Sequence, residues 1–293
     1  MCQFNQQFAI YEVVLGVGGR SGGHARGSEA SGPGAVASVA RVLMAAAFVP
    51  GAPLLIPELA GGTADPEVVA VRSAAVAAAA ALVSVAPEWV IVGAAPASPV
   101  IDWAAPSEVS ATSGSGTFVG FGADVVVSLA PTDDARCVSS EWPLSMLIGG
   151  WLRGQVAPSM LARALTVDPA ATASHCAERG RRLRRYLDET VAPVGLLVVA
   201  DGAITLTDKA PGGFVRDAGR CQSDLADAIG GDLDAQSRVC GWSVADAAAV
   251  GIDGRAVYQT ALAALDGHWA IEKFYAAAPF GVGYTVANWS RTP

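Results

Sequence analysis

The chain has 293 residues, of which 52% are hydrophobic and 16% charged, with a formal net charge of -8. Charged residues average ~25% in globular domains, so this composition predicts a well-buried core rather than disorder. The acidic balance excludes the basic footprint of a nucleic-acid binder. Five cysteines, at 2, 137, 176, 221 and 240, are widely spaced and form no CxxC pair. That pattern supports neither a zinc site nor a disulfide framework, and it reads as reduced thiols in a cytoplasmic protein.

Within residues 1–43, the stretch 16–38 is rich in Gly, Ser and Ala, with Gly18-Gly19, Gly22-Gly23 and Gly32-Pro33-Gly34. Such a segment buries too little apolar surface to offset its ordering entropy, and it reads as a disordered extension or a start-site artefact. It shows no basic stretch followed by a long apolar run, so no signal peptide is expected. Gly16-Val17-Gly18-Gly19-Arg20 lacks the GxGxxG spacing of a dinucleotide loop, and no amphipathic helix follows it.

From Met44 onward strands and helices alternate. Residues 44–49 form an apolar strand that runs into Pro50-Gly51-Ala52-Pro53. Thr63 starts a long helix, with Pro66 in its first turn and Glu67 near a capping-box position. Its most apolar run, Ser73 to Ala86, lies between Arg72 and Pro87 and is too short to cross a bilayer, so no membrane segment is expected. Trp89 to Val92 is a buried strand ending at Gly93, and residues 124–129 form another. Gly114-Ser115-Gly116 is not a GxSxG nucleophile elbow, because Ser113 to Thr117 reads as a flexible loop. Pro143 begins a helix that continues through Trp151. Ala162 to Val167 is a strand, and Asp168-Pro169 caps a helix over 169–188. The basic run Arg179 to Arg185 on that helix has no interleaved aromatics and reads as a solvated face. Gly195 to Val199 is the most strand-like run. Helices follow at 217–229 and 255–265, and strands at 271–276 and 283–288.

Continuous apolar strands between amphipathic helices predict an α/β single domain, residues 44–293, whose central sheet is flanked by helices on both faces. In such folds ligands bind in the loops at the C-terminal ends of the strands. Pro50, Gly51, Glu58 and Gly93 are therefore pocket candidates, as are Asp208 and Tyr284. Asp201 and Lys209 form a candidate acid/base pair, set against the reading of Asp201-Gly202 as a plain turn signal. Glu58, Asp201 and Asp208 are the available oxygen ligands, a set that would favour Mg²⁺ or Ca²⁺. Three acids scattered along the chain do not by themselves define a metal site, and none is assigned. The aromatic residues Trp269, Phe274, Tyr275, Phe280, Tyr284 and Trp289 read as core, with Tyr284 the one nearest a ligand.

Three segments carry a family resemblance. Phe48-Val49-Pro50-Gly51-Ala52-Pro53-Leu54-Leu55-Ile56-Pro57-Glu58 resembles the first strand and loop of class III extradiol ring-cleavage dioxygenase subunit-B-like proteins, in their alanine-rich actinobacterial branch. Leu196 to Gly202, followed by Asp208-Lys209-Ala210-Pro211-Gly212, fits the same family. So does the closing run Ala278-Pro279-Phe280-Gly281-Val282-Gly283-Tyr284 through Trp289. The resemblance covers residues 44–289. It implies a mixed central sheet, a mononuclear Fe(II) held by two His and a carboxylate at the strand ends, and a further His as acid/base while dioxygen opens a catechol-type ring.

This sequence departs from that pattern. Where the family places its histidines, it has Gly51 and Ala52 after the first strand, Gly93-Ala94-Ala95-Pro96 after the next, and Asp201-Gly202 after a later one. The three histidines present are His24 in the extension, His175 inside a helix beside Cys176, and His268 at a helix end. Neighbours in a helix point about 100° apart, so His175 and Cys176 make no dyad. The expectation is a catalytically degenerate member that binds a small molecule, aromatic if the family's preference is retained. The iron is implied by the resemblance alone, so no cofactor is assigned. The alternatives are an active Fe(II) dioxygenase with other ligands, and a non-catalytic subunit of an oligomer, including a homo-oligomer.

Overall fold

The computed structural model describes residues 43–61, 65–95, 114–131, 138–189 and 192–291. The expectations for the N-terminal extension and for His24 lie outside these residues. Residues 41–293 form one compact unit.

The first strand, β1 (Leu43–Val49), alternates its contacts. Ala45, Ala47 and Val49 face one hydrophobic core, and Ala46 and Phe48 face the other. Both faces are covered, which is why the strand carries no polar residue. The same holds for β2 (Glu88–Ala94) and β7 (Val194–Val199), where Ile91 and Leu197 face one core and Val92 and Leu196 the other. With β6 (Leu161–Val167), β8 (Ala270–Ala277) and β9 (Tyr284–Ser290), these build a six-stranded sheet ordered β6-β2-β7-β1-β9-β8. The first four strands run parallel. β9 is antiparallel to β1, and β8 to β9. The sheet is mixed and carries helices on both faces, an α/β fold.

One face is covered by α1 (Pro66–Val85) and α2 (Leu144–Val156). α1 buries Val68, Val71, Ala75, Ala78, Ala79 and Leu82, a stripe at helical spacing whose short alanines let it lie close to the sheet. It takes in Arg72 as well as the apolar run that follows, and its 20 residues and mean hydropathy of 2.1 are sufficient to cross a membrane, which the run from Ser73 alone is not. In this fold Arg72 does not interrupt it. Nε and Nη2 of Arg72 donate to the carbonyls of Leu55 (2.7 Å) and Leu54 (3.0 Å), pinning the loop after β1.

The opposite face carries α3 (Ala173–Glu189), α4 (Ala218–Ile229), α5 (Leu233–Gly241), α6 (Val244–Ala249) and α7 (Arg255–Ala264). α3 begins at Ala173 rather than at 169. Asp168 Oδ1 accepts from Ala170 N in a turn, and Thr172 Oγ1 accepts from His175 N at the true helix start. The arginines of α3 are largely solvated: Arg181 and Arg182 pair with Glu178, and Arg184 with Asp188.

The predicted strand at 124–129 is shorter and does not join the main sheet. It is β4 (Val126–Ser128), in a small sheet ordered β4-β3-β5 with β3 (Ser115–Thr117) and β5 (Val138–Ser139). Ser115 to Thr117 is therefore a fully buried strand rather than a loop. Its Gly116 lies under Trp142, where an added Cβ would come within 2.4 Å of the indole.

Candidate functional site

The parallel strands β1, β2 and β7 end side by side, and the residues after them form the wall of a cleft of about 220 Å³. β1 delivers Gly51, β2 ends in Ala94, and β7 leads into Ala200, Asp201 and Gly202. The cleft is completed by Leu144 and Ser145 from the start of α2 and by Gly251, Asp253 and Gly254 before α7. This is the strand-end position at which open α/β sheets bind ligands. A larger space of about 680 Å³ lies along α3 beside Ala263 and Asp266, but it is an open groove whose Arg184 and Glu178 are already ion-paired.

Asp201 is the centre of the cleft. Gly51 N donates to its Oδ1 at 2.8 Å, joining the loops after β1 and β7. Burial pushes the carboxyl up to about 7. The Gly51 N–H bond opposes the rise and the nearby Asp253 charge adds to it. The path beyond Asp201 is extended and anchored rather than a turn. Gly202 N donates to the Gly283 carbonyl at 2.9 Å, and Gly283 N to that of Ala203 at 2.8 Å. Gln222 of α4 fits between these segments and accepts from Ala203 N at 2.9 Å. A Cβ on Gly202 would lie 2.0 Å from the Gln222 amide oxygen, so that glycine answers to close packing and not to turn geometry.

Two further residues of the cleft were not singled out in the sequence. Ser145 is 6% exposed, and its hydroxyl donates to the Ala94 carbonyl at 3.4 Å. Its side chain occupies the space over Gly93, where an added Cβ would meet Ser145 Cβ at 2.0 Å. Gly93 is thus fixed by the approach of α2 to β2. Asp253, exposed at the cleft mouth, belongs to Gly251-Ile252-Asp253-Gly254. Gly254 there lies against the backbone of Asp201, with room for no Cβ beyond 2.7 Å. The residues Ser145 and Asp253 carry no motif by themselves. A Ser at the second position of a helix and an Asp-Gly pair are both common, and only the fold brings them together.

Among the other sequence candidates, Pro50 is buried beside the cleft loop, while Glu58, Asp208 and Lys209 are exposed and none of the three lines the cleft. The structure therefore does not bring Lys209 and Asp201 together as cleft-lining partners. Tyr284 is buried on β9 and is not a lining residue. Burial raises its hydroxyl, with contributions from the Asp201 and Tyr275 charges. Trp289 packs in the core against Phe48 and Trp269, at ring distances of 5.5 and 6.3 Å. Phe280 departs from the core reading: it is 51% exposed and held at φ 57°, beside the left-handed Gly281.

No family model matches the chain, and no curated protein matches it. Among solved structures, the crystal structure of an uncharacterized protein from Escherichia coli K12 aligns over 85% of this chain and 100% of its own, at 13% identity and a TM-score of 0.42. A likeness of that size carries no argument about the site.

The cleft does not fit a two-His-one-carboxylate iron centre. Among the described residues its side-chain donors are two carboxylates and a hydroxyl. His175 is exposed on α3 and His268 is exposed between α7 and β8, and neither lines the cleft. Among the described residues no three His, Cys, Asp or Glu side chains converge as a metal-binding group. What the arrangement can do is proton chemistry: a carboxyl titrating near neutrality, oriented by one backbone N–H, with its second oxygen free of that bond.

Proposed function

We propose that this chain is a class III extradiol dioxygenase subunit-B-like protein that has lost the iron site and uses the strand-end cleft to bind a small molecule. Asp201 is its proton donor and acceptor. The observation that carries this reading is the Asp201 carboxyl, held by Gly51 N–H at the junction of two strand-end loops, in a cleft that no imidazole of the described residues lines.

The chemistry follows from the side chains present. Oδ1 is fixed by Gly51, so the carboxyl plane is set before a ligand arrives, and no ordering is required at the moment of proton transfer. A group ionising near 7 is balanced between taking a proton from a bound X–H and returning it at neutral pH. Gly51 leaves open space beside the Asp201 carboxyl, since an added Cβ would meet nothing closer than 3.5 Å, and a ligand can approach Asp201 there. The volume of about 220 Å³ lies below the ~300 Å³ lower end of drug-sized pockets and limits the occupant to a small molecule.

Anaerobic loading with Fe(II), followed by elemental analysis and catechol-dependent oxygen uptake, tests this reading against the active-dioxygenase alternative. The expected result is substoichiometric iron and no catechol-dependent uptake. Stoichiometric iron with uptake would overturn it.

A further inference from the structure

The cleft has a definite charge. Among the described residues its titratable lining groups, Asp201 and Asp253, are both acids, and no Lys, Arg or His lines it. Arg255 follows Asp253 by two residues and is the cation nearest in sequence, but it is committed elsewhere. Its Nη1 donates to Gln259 Oε1 at 2.6 Å, and its Nη2 to the carbonyls of Pro169 (2.9 Å) and Ala171 (2.5 Å). Arg255 is 2% exposed, so it cannot swing to the cleft without emptying a buried site. Lys209 is exposed and is not a lining residue. Among the described residues no basic side chain shares the cleft with these acids, and its remaining walls are the Ser145 hydroxyl, the apolar Leu144, Val199 and Ile204, and backbone.

We infer that the ligand of this cleft is a small primary amine, its ammonium seated between Asp201 and Asp253 and its short apolar body against Leu144, Val199 and Ile204. This rests on the reading of the cleft as a small-molecule site and narrows it to one class. An ammonium supplies the positive charge the cleft lacks, and it donates to Asp201 Oδ2 and to the Asp253 carboxylate while Oδ1 keeps its Gly51 bond. A carboxylate or phosphate ligand would set like charges together in a partly desolvated space, which is unfavourable. A neutral alcohol could hydrogen-bond but would leave the pair of negative charges uncompensated.

The test uses the full chain and backbone amide NMR at about pH 8, where Asp201 is ionised and simple amines are protonated. The probes are propylamine, cyclohexylamine and benzylamine, with benzyl alcohol and benzoate as matched neutral and anionic controls. Shifts of the Gly51, Gly202 and Gly254 amides report on the cleft itself. The expected result is saturable binding of at least one amine at these amides. Benzyl alcohol should be about tenfold or more weaker than benzylamine, the scale of one charge-assisted hydrogen bond, and benzoate should not bind. Asp201→Asn and Asp253→Asn should each weaken amine binding by about tenfold. If Asp201→Asn fails to fold, Asp253→Asn at the exposed cleft mouth carries the same arm. Equal affinity for alcohol and amine, or preferred binding of benzoate, overturns the amine assignment and leaves the small-molecule reading standing. Saturable, Asp201-dependent displacement of benzylamine by Mg²⁺ alone also overturns it, in favour of a cation site. Failure of every probe to move these amides sinks both.

Discussion

Two charged residues, one buried and one half-buried, lie close together and are treated in opposite ways. Arg255 opens α7, and its guanidinium is enclosed by the Pro169 and Ala171 carbonyls and by Gln259. Gln259 in turn donates to the Val239 and Trp242 carbonyls at 2.9 Å, closing the end of α5. Asp201 lies under Gly254, the residue immediately before Arg255, and receives a single N–H bond from Gly51. Arg255 is a structural charge, fully engaged and tying α3, α5 and α7 together. Asp201 has no positive partner among the described residues, and burial raises its proton affinity. On the function proposed above, that difference leaves the Asp201 carboxyl for a bound small molecule, while Arg255 serves the fold.

The comparison can be broken most sharply at Arg255. Arg255→Ala strands two loop carbonyls and the Gln259 amide, and is expected to destabilise the protein by about 4 kcal/mol in denaturant unfolding. A loss under about 1 kcal/mol would show that the hub is not structural.

The pH dependence of stability sharpens the other side. Asp201 holds its proton more tightly folded than unfolded. Its contribution is therefore complete below the ordinary value of 3.8 and is lost as pH rises through about 7. Asp201→Asn should remove that loss. The stability difference between variant and parent should shift by about 3 kcal/mol in favour of the variant from about pH 4 to pH 8, after allowance for partial exposure. A difference that stays flat with pH contradicts the assignment.

The glycines of the two strand-end loops give the smallest effects and the finest distinction. Gly93→Ala drives a methyl into Ser145 and should lose about 2 kcal/mol, recovered in part by Ser145→Gly. Gly51→Ala meets nothing closer than Ala200 Cα at 3.5 Å and should change stability by less than about 0.5 kcal/mol. Thermal unfolding of the two variants and the double variant checks both.

The main sheet was largely legible in the sequence because its strands are buried on both faces and read as unbroken apolar runs. The predicted runs at 44–49, 89–92, 162–167 and 195–199 all fall within the four parallel strands. The small sheet was not legible. β3 is Ser115-Gly116-Thr117, three small residues buried by Trp142 and Leu147 from elsewhere in the chain, and no local pattern announces that. α5 and α6 were missed although each carries a start signal. Asp232 accepts from Ala235 N, and Ser243 and Asp246 form a capping box, but α5 is short and mostly polar and α6 is six residues, four of them alanine, so neither shows a clear apolar stripe. In the site, Gly51 and Asp201 could be named because both follow apolar strands. Their contact spans 150 residues, and their neighbours Ser145 and Asp253 arrive from helix starts, so tertiary packing assembled what local sequence could not.

The most direct measurement is a carbon-13 NMR titration of the Asp201 carboxyl in the intact protein. An uncompensated carboxyl in this cleft should titrate with a midpoint near 7. A midpoint at or below the ordinary 3.8 would mean that a positive group answers Asp201 after all, and the contrast with Arg255 on which the functional reading stands would be lost.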